Sequence, residues 1–88
     1  MVFEWDDRKA ALNVEKHGIT FEEAAEILSG ECVTFRANTE GEARFKAIGR
    51  YSGEYFAIVY TIRGGAIRII SARHAAVKER NQYEKHID

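Results

Sequence analysis

Between Glu42 and Arg73 apolar and polar side chains alternate with a period of two, and the alternation breaks at Ser52-Gly53 and Gly64-Gly65. That period belongs to a strand with two different faces, and a glycine-bearing pair between β-branched runs marks a two-residue turn needing positive φ. The stretch reads as three antiparallel strands. The second turn sets Arg63 opposite Ala66, Thr61 opposite Arg68 and Val59 opposite Ile70. The first sets Arg50 opposite Tyr55, Lys46 opposite Val59 and Arg44 opposite Thr61. Opposed side chains share a face. One face thus collects Phe45, Ala47, Gly49, Phe56, Ile58, Tyr60, Ile62, Ile67, Ile69 and Ser71, the expected core. The other collects Arg44, Lys46, Ile48, Arg50, Tyr55, Ala57, Val59, Thr61, Arg63, Arg68, Ile70 and Ala72, a basic and partly apolar surface.

Around this meander the chain carries clear helix signals. Val2-Phe3-Glu4-Trp5 alternates as a short first strand, and Asp6 stands as N-cap of a helix to His17 that turns Ala10, Ala11 and Val14 inward. Gly18 supplies a left-handed end, with Lys16 and His17 at the negative end of the helix dipole. Thr20 and Glu23 form a capping box for a second helix, which buries Phe21, Ala24, Ala25 and Ile27 or Leu28 and ends at Gly30. Cys32 to Ala37 alternates as a strand and Asn38-Thr39-Glu40-Gly41 is a loop. After Arg73 the run is helical, with Ala76, Val77, Tyr83 and Arg80 toward the inside. The order β-α-α-β-β-β-β-α predicts a single α+β domain over residues 1–88. It has an antiparallel sheet made of the short N-terminal strand and a four-stranded meander, with the helices on one side of it.

The 88 residues suffice for one core under one sheet. No apolar run approaches the roughly 20 residues of a membrane span, and the acidic start is unlike a secretory signal, so a cytoplasmic protein is expected. The single Cys32 reads as a small buried hydrophobe. One Cys and three scattered His give no metal-ligand spacing, and no cofactor is expected. The net charge of −1 conceals an asymmetry: residues 1–35 carry three Lys/Arg against eight Asp/Glu, a balance of −5. Residues 36–80 carry nine against four, a balance of +5. A basic block of this kind suits an anionic partner such as nucleic acid.

The motifs also resemble a known family. FEWD at Phe3–Asp6, Lys9, Asn13, KHGITFEEA at Lys16–Ala24, Glu42-x-Arg44, Ile48-Gly49, VYTIR at Val59–Arg63, IRIISAR at Ile67–Arg73 and Glu79-Arg80-x-x-Tyr83 are similar to the BrnT toxins of bacterial toxin–antitoxin modules. The resemblance implies a RelE/ParE-like fold, a metal-independent endoribonuclease activity that arrests growth, and neutralisation by a BrnA-type antitoxin in a hetero-oligomer. It also implies that operator DNA is contacted only through the antitoxin, so that the complex represses its own operon. A His that the family pattern carries before the Glu-x-Arg strand is absent here.

Metal-free RNA cleavage needs a base for the 2′-hydroxyl proton, cations for the phosphorane charge and an acid for the leaving oxygen. Arg44, Arg63 and Arg68 are expected to converge around Thr61, where guanidinium groups suit phosphate oxygens or, equally, surface ion pairs to Glu40 or Glu42. Arg73 has core-face parity at a strand end; the resemblance gives it a catalytic or RNA-positioning role, against anchoring the last helix through Glu79. Lys46 and Arg50 read as phosphate contacts. Tyr55 fits base stacking or cross-strand packing, and Tyr83 fits packing or an RNA contact. The base candidates are Glu42, which alternation is taken to send to the opposite face unless the strand starts later, and His17, whose place before Gly18 already has a capping explanation. Two other classes stay open: a non-catalytic module that binds an acidic or amphipathic peptide, and a gyrase-directed toxin on the same scaffold.

Overall fold

A computed structural model describes residues 1–37 and 41–87, so three residues of the expected loop, Asn38, Thr39 and Glu40, lie outside the described residues. The elements are β1 (Phe3–Glu4), α1 (Asp7–His17), α2 (Phe21–Ser29), β2 (Cys32–Ala37), β3 (Arg44–Tyr51), β4 (Glu54–Arg63), β5 (Ala66–His74) and α3 (Val77–Ile87). This is the α+β order that the patterning predicts. The strands form one sheet in the order β1-β5-β4-β3-β2. β1 runs parallel to β5 while the other pairs are antiparallel, so the sheet is mixed rather than wholly antiparallel.

The local signals act where they are expected. Asp6 accepts the Lys9 N–H at 3.0 Å, and this bond holds its carboxyl below the usual range. Thr20 and Glu23 close their reciprocal box, and Gly18 adopts φ 72°. Ser52-Gly53 and Gly64-Gly65 take positive φ at both central positions, the geometry whose twist matches the flanking strands. Arg50–Tyr55, Lys46–Val59, Arg44–Thr61, Thr61–Arg68 and Arg63–Ala66 are the observed pairs.

The β4–β5 register holds only as far as Tyr60–Ile69. There Ile70 is inserted as a bulge, and Val59 pairs with Ser71 instead of Ile70. One extra residue reverses every later side chain. Ala72 therefore joins the core opposite Ile58, while Ser71 and Arg73 turn to the basic face opposite Val59 and Ala57.

The main core lies between the sheet and the α1–α2 pair, where Ile19, Phe21, Ala24 and Ile27 meet Phe56, Ile58, Ile69 and Ala72. Gly49 is required by this packing, because a Cβ there would stand 2.6 Å from Ile27 Cγ2 and 3.1 Å from Cys32 Sγ. Cys32 is half-buried, its thiol donates to the Ile27 carbonyl at 2.9 Å, and burial pushes that thiol up. Ala11 and Val14 are exposed, and the buried member of α1 is Asn13. Its amide donates to the carbonyls of Ala72 at 2.8 Å and Ile19 at 3.1 Å and accepts the Ala72 N–H at 3.1 Å. β1 covers only Ile67 and Arg68 of β5. The Asn13 amide thus serves as neighbouring strand for the uncovered edge further along, satisfying the Ala72 backbone groups there.

Helix α3 packs against β2 and β3, and its Glu79 and Tyr83 meet Lys46, Arg73 and Tyr55 of the basic face. Helices therefore lie on both sides of the sheet, not one. The inward residues of α3 are Glu79 and Tyr83, while Ala76, Val77 and Arg80 are exposed. A charged residue faces inward because Arg73 and Lys46 meet it there.

Candidate active site

The basic face contains two groups of cations at different heights on the sheet. At the Gly64-Gly65 end, Arg44, Thr61 and Arg68 lie opposite one another across β3, β4 and β5, with Glu4 of β1 beside Arg68. Thr61 is buried and donates to the Ala43 carbonyl at 2.6 Å, pinning the start of β3. Arg68 stands 3.6 Å from Glu4, and Arg63 grips Glu42 through hydrogen bonds of 2.9 to 3.1 Å. Arg63 is more than half exposed and its carboxylate partner is partly so, so this pair is worth about 0–1 kcal/mol. β3 begins at Arg44, so the exception allowed for Glu42 holds: it precedes the strand, alternation does not fix its side, and it meets Arg63 on the basic face.

Arg73 does not join this group. It sits five residues beyond Arg68, about 16 Å along a strand, and reaches the basic face only because of the Ile70 bulge. Its guanidinium donates to both oxygens of Glu79 at 2.7 and 2.9 Å and to the His74 carbonyl at 3.2 Å. Lys46 approaches the same carboxylate at 2.8 Å, and the Ala76 N–H donates to it at 2.8 Å. Glu79 also stands three residues into α3, where its carboxylate caps the free N–H groups of the first turn. It is 6% exposed. The Arg73 hydrogen bonds, with those of Lys46 and Ala76, hold its carboxyl down at about 2 against the cost of burial. The same contact raises the Arg73 guanidinium. Two cations on one carboxylate leave the cluster with a net positive charge, and both cations remain about one-third exposed.

Beyond Arg73 the face ends in an aromatic group. The guanidinium groups of Arg80 and Arg50 lie over the Tyr55 ring at 4.8 and 5.4 Å, Tyr83 meets it edge-on at 5.6 Å, and the Tyr55 hydroxyl donates to Glu84 at 3.1 Å. Tyr55 therefore performs cross-strand packing with Arg50 and also anchors α3. Burial pushes the Tyr83 phenol up, the wrong direction for a proton donor. His17 is not brought to these groups, because α1 lies against the other face of the sheet.

The same sheet end holds a pair absent from the sequence-based candidates, His74 and Glu54, with Nε2 and Oε1 3.1 Å apart. His74 directly follows Arg73, and that adjacency was its only sequence signal. Alternation without the bulge would have placed it on the wrong face. Among the described residues no three His, Cys, Asp or Glu side chains cluster as a metal set would, and no helix is long and apolar enough to cross a membrane.

A search of curated proteins finds no match to the chain. A family model described as the ribonuclease toxin, BrnT, of type II toxin–antitoxin systems matches residues 5–79, a span that includes β1's neighbour Trp5, both cation groups and Glu79. With this match over most of its length, the chain belongs to the BrnT family of ribonuclease toxins, whose systems pair each toxin with an antitoxin.

Proposed function

We propose that the protein is a cytoplasmic, metal-independent endoribonuclease that binds RNA on the α3 side of its sheet and arrests growth. A BrnA-like, DNA-binding antitoxin neutralises it in a hetero-oligomer, and the complex represses its own operon through the antitoxin. The observation that carries this reading is the bulge-turned Arg73, held with Lys46 on the buried Glu79 carboxylate. Two positive groups are fixed there by a partner that stays ionised, so their exposed sides are aimed before substrate arrives. Preorganised cations of this sort hold phosphate oxygens beside the cleaved bond and favour the charge that develops there without reorganising. Arg50 and Arg80 extend the positive surface beyond them, and Arg44, Arg63 and Arg68 extend it in the other direction as contacts along an RNA backbone.

The test is expression of the chain alone and together with its genomic neighbour, combined with cleavage of defined RNA by purified protein in the presence of a chelator. Growth arrest and chelator-resistant cleavage are expected only without the partner. Arg73→Ala and Lys46→Ala should each reduce cleavage, by about 10²-fold and about 10-fold. A triple Arg63/Arg68/Arg73→Ala variant with full activity removes the basic face from the mechanism. Stoichiometric peptide binding without RNA turnover, or blocked replication with RNA intact, would overturn the ribonuclease reading itself.

A further inference from the structure

At the end of the sheet where β3 turns into β4 and β5 gives way to α3, two clefts of about 210 and 170 Å³ share Glu54 and His74 as a common wall. The imidazole is oriented from two sides. Nε2 stands 3.1 Å from the Glu54 carboxylate, and the ring lies against buried Phe56 with centroids 4.6 Å apart. The backbone just beyond is tied down by the Ala75 N–H donating to the Tyr55 carbonyl at 2.9 Å. Even so, more than half of the His74 side chain is open to solvent.

A carboxylate that accepts from Nε2–H fixes the tautomer in which Nδ1 carries the lone pair. Nδ1 has no partner among the described residues. Arg80 and Tyr55 line the larger cleft together with His74. The other candidates for proton transfer do not serve: Glu79 is held as an anion by Arg73 and Lys46, Glu42 is gripped by Arg63, Tyr83 is buried, and His17 lines neither cleft.

We propose that His74 is the general base of the ribonuclease, with Glu54 as its positioning residue and Arg80 as the cation that receives the phosphate in the cleft. This rests on the ribonuclease reading above. Nδ1 takes the proton of a ribose 2′-hydroxyl as the 2′-oxygen forms a bond to phosphorus and the bond from phosphorus to the 5′-oxygen breaks. The 5′-oxygen gains a proton from the imidazolium or from solvent, so protons balance and no electron changes hands. The products are a 2′,3′-cyclic phosphate and a 5′-hydroxyl. Arg73 and His74 are consecutive on β5 and face opposite sides, so the scissile phosphate sits at the cleft shared by His74 and Arg80, while Arg73 and Lys46 hold the neighbouring stretch of the RNA strand as it crosses the end of the sheet and keep that strand aimed at the cleft.

The test uses the full chain made by cell-free synthesis, steady-state cleavage of a defined oligoribonucleotide, and analysis of the product ends. His74→Ala is expected to lower kcat by about 10² to 10⁴, the range that general base catalysis supplies, with KM changed less than about threefold. Added imidazole should restore part of the rate. Glu54→Gln should lower kcat by about tenfold, and Arg80→Ala should act mainly on KM. Thermal melting of each variant separates loss of fold from loss of chemistry. His74→Ala with wild-type kcat overturns the base assignment. So does loss of rate that imidazole cannot restore in a variant that still melts like wild type. Wild-type protein that cleaves no RNA overturns the ribonuclease reading and this assignment together, whereas an active His74→Ala leaves the ribonuclease standing.

Discussion

Arg73 and Glu79 face each other through two hydrogen bonds of 2.7 and 2.9 Å, joining the last strand to the first turn of the last helix. The carboxylate is buried and also receives Lys46 and the Ala76 N–H. Glu79 thus caps α3, docks it on the sheet and aims two cations. Removing its charge leaves Arg73 and Lys46 mutually repelling beside a buried amide. Glu79→Gln is expected to cost about 2 kcal/mol, with breaking a fully buried pair costing more. In a domain of this size that lowers Tm by roughly 8 to 16 °C, measurable by circular dichroism; a shift under about 3 °C would mean that α3 docks by packing alone.

The same carboxylate sets an acid limit. Its folded value, about 2, lies below the ordinary 4.5, so the unfolded chain takes up the proton first as pH falls. The contribution is complete above about pH 4.5 and is lost as pH drops toward 2. It amounts to about 2 to 3 kcal/mol, since a tenfold change in proton affinity corresponds to about 1.4 kcal/mol and the partly exposed cations are screened by solvent. Urea unfolding between about pH 2 and pH 6 should show wild type losing this advantage over Glu79→Gln, with the two curves converging at the acid end. Parallel curves would contradict the pairing.

Asn13 joins α1, the α1–α2 turn and the edge of β5 through three hydrogen bonds. Asn13→Ala leaves the Ala72 N–H and carbonyl without partners in a region closed to water. A loss of about 2 to 3 kcal/mol is expected from unsatisfied buried groups, read from urea midpoints. Asn13→Asp should be as harmful near neutral pH, since a carboxylate cannot donate to the two carbonyls. An Asn13→Asp protein as stable as wild type would show that the donated bonds are dispensable.

Gly49 lets β3 pass beneath α2. Gly49→Ala drives a methyl group to 2.6 Å from Ile27 Cγ2, and overpacking of this kind costs about 1 to 3 kcal/mol. Ile27→Leu removes the offending branch, so the double variant should recover part of the loss in a double-mutant cycle of unfolding free energies. Simple additivity of the two losses would place the strain elsewhere.

Much of this molecule is legible in its sequence because the signals are local. Asp6, Gly18, Thr20 and Glu23 act on backbone groups within a few residues, and the two hairpin turns impose their registers through φ angles that glycine adopts freely. From these follow the element order, the strand pairs up to Tyr60–Ile69 and the basic surface. What lies outside local reach was decided by packing. Ile70 bulges out of β5, and alternation carries no mark of an inserted residue, so Arg73 moves to the basic face while His74 moves off it. The choice of Asn13 rather than Val14 for the inside of α1 depends on an unpaired strand edge 59 residues away. Glu79 can face inward only because Lys46 and Arg73, from two different strands, meet it there. Periodicity states which residues alternate, but which surface each finally occupies is settled by strands and helices that competing packing and hydrogen-bonding demands bring together from distant parts of the chain.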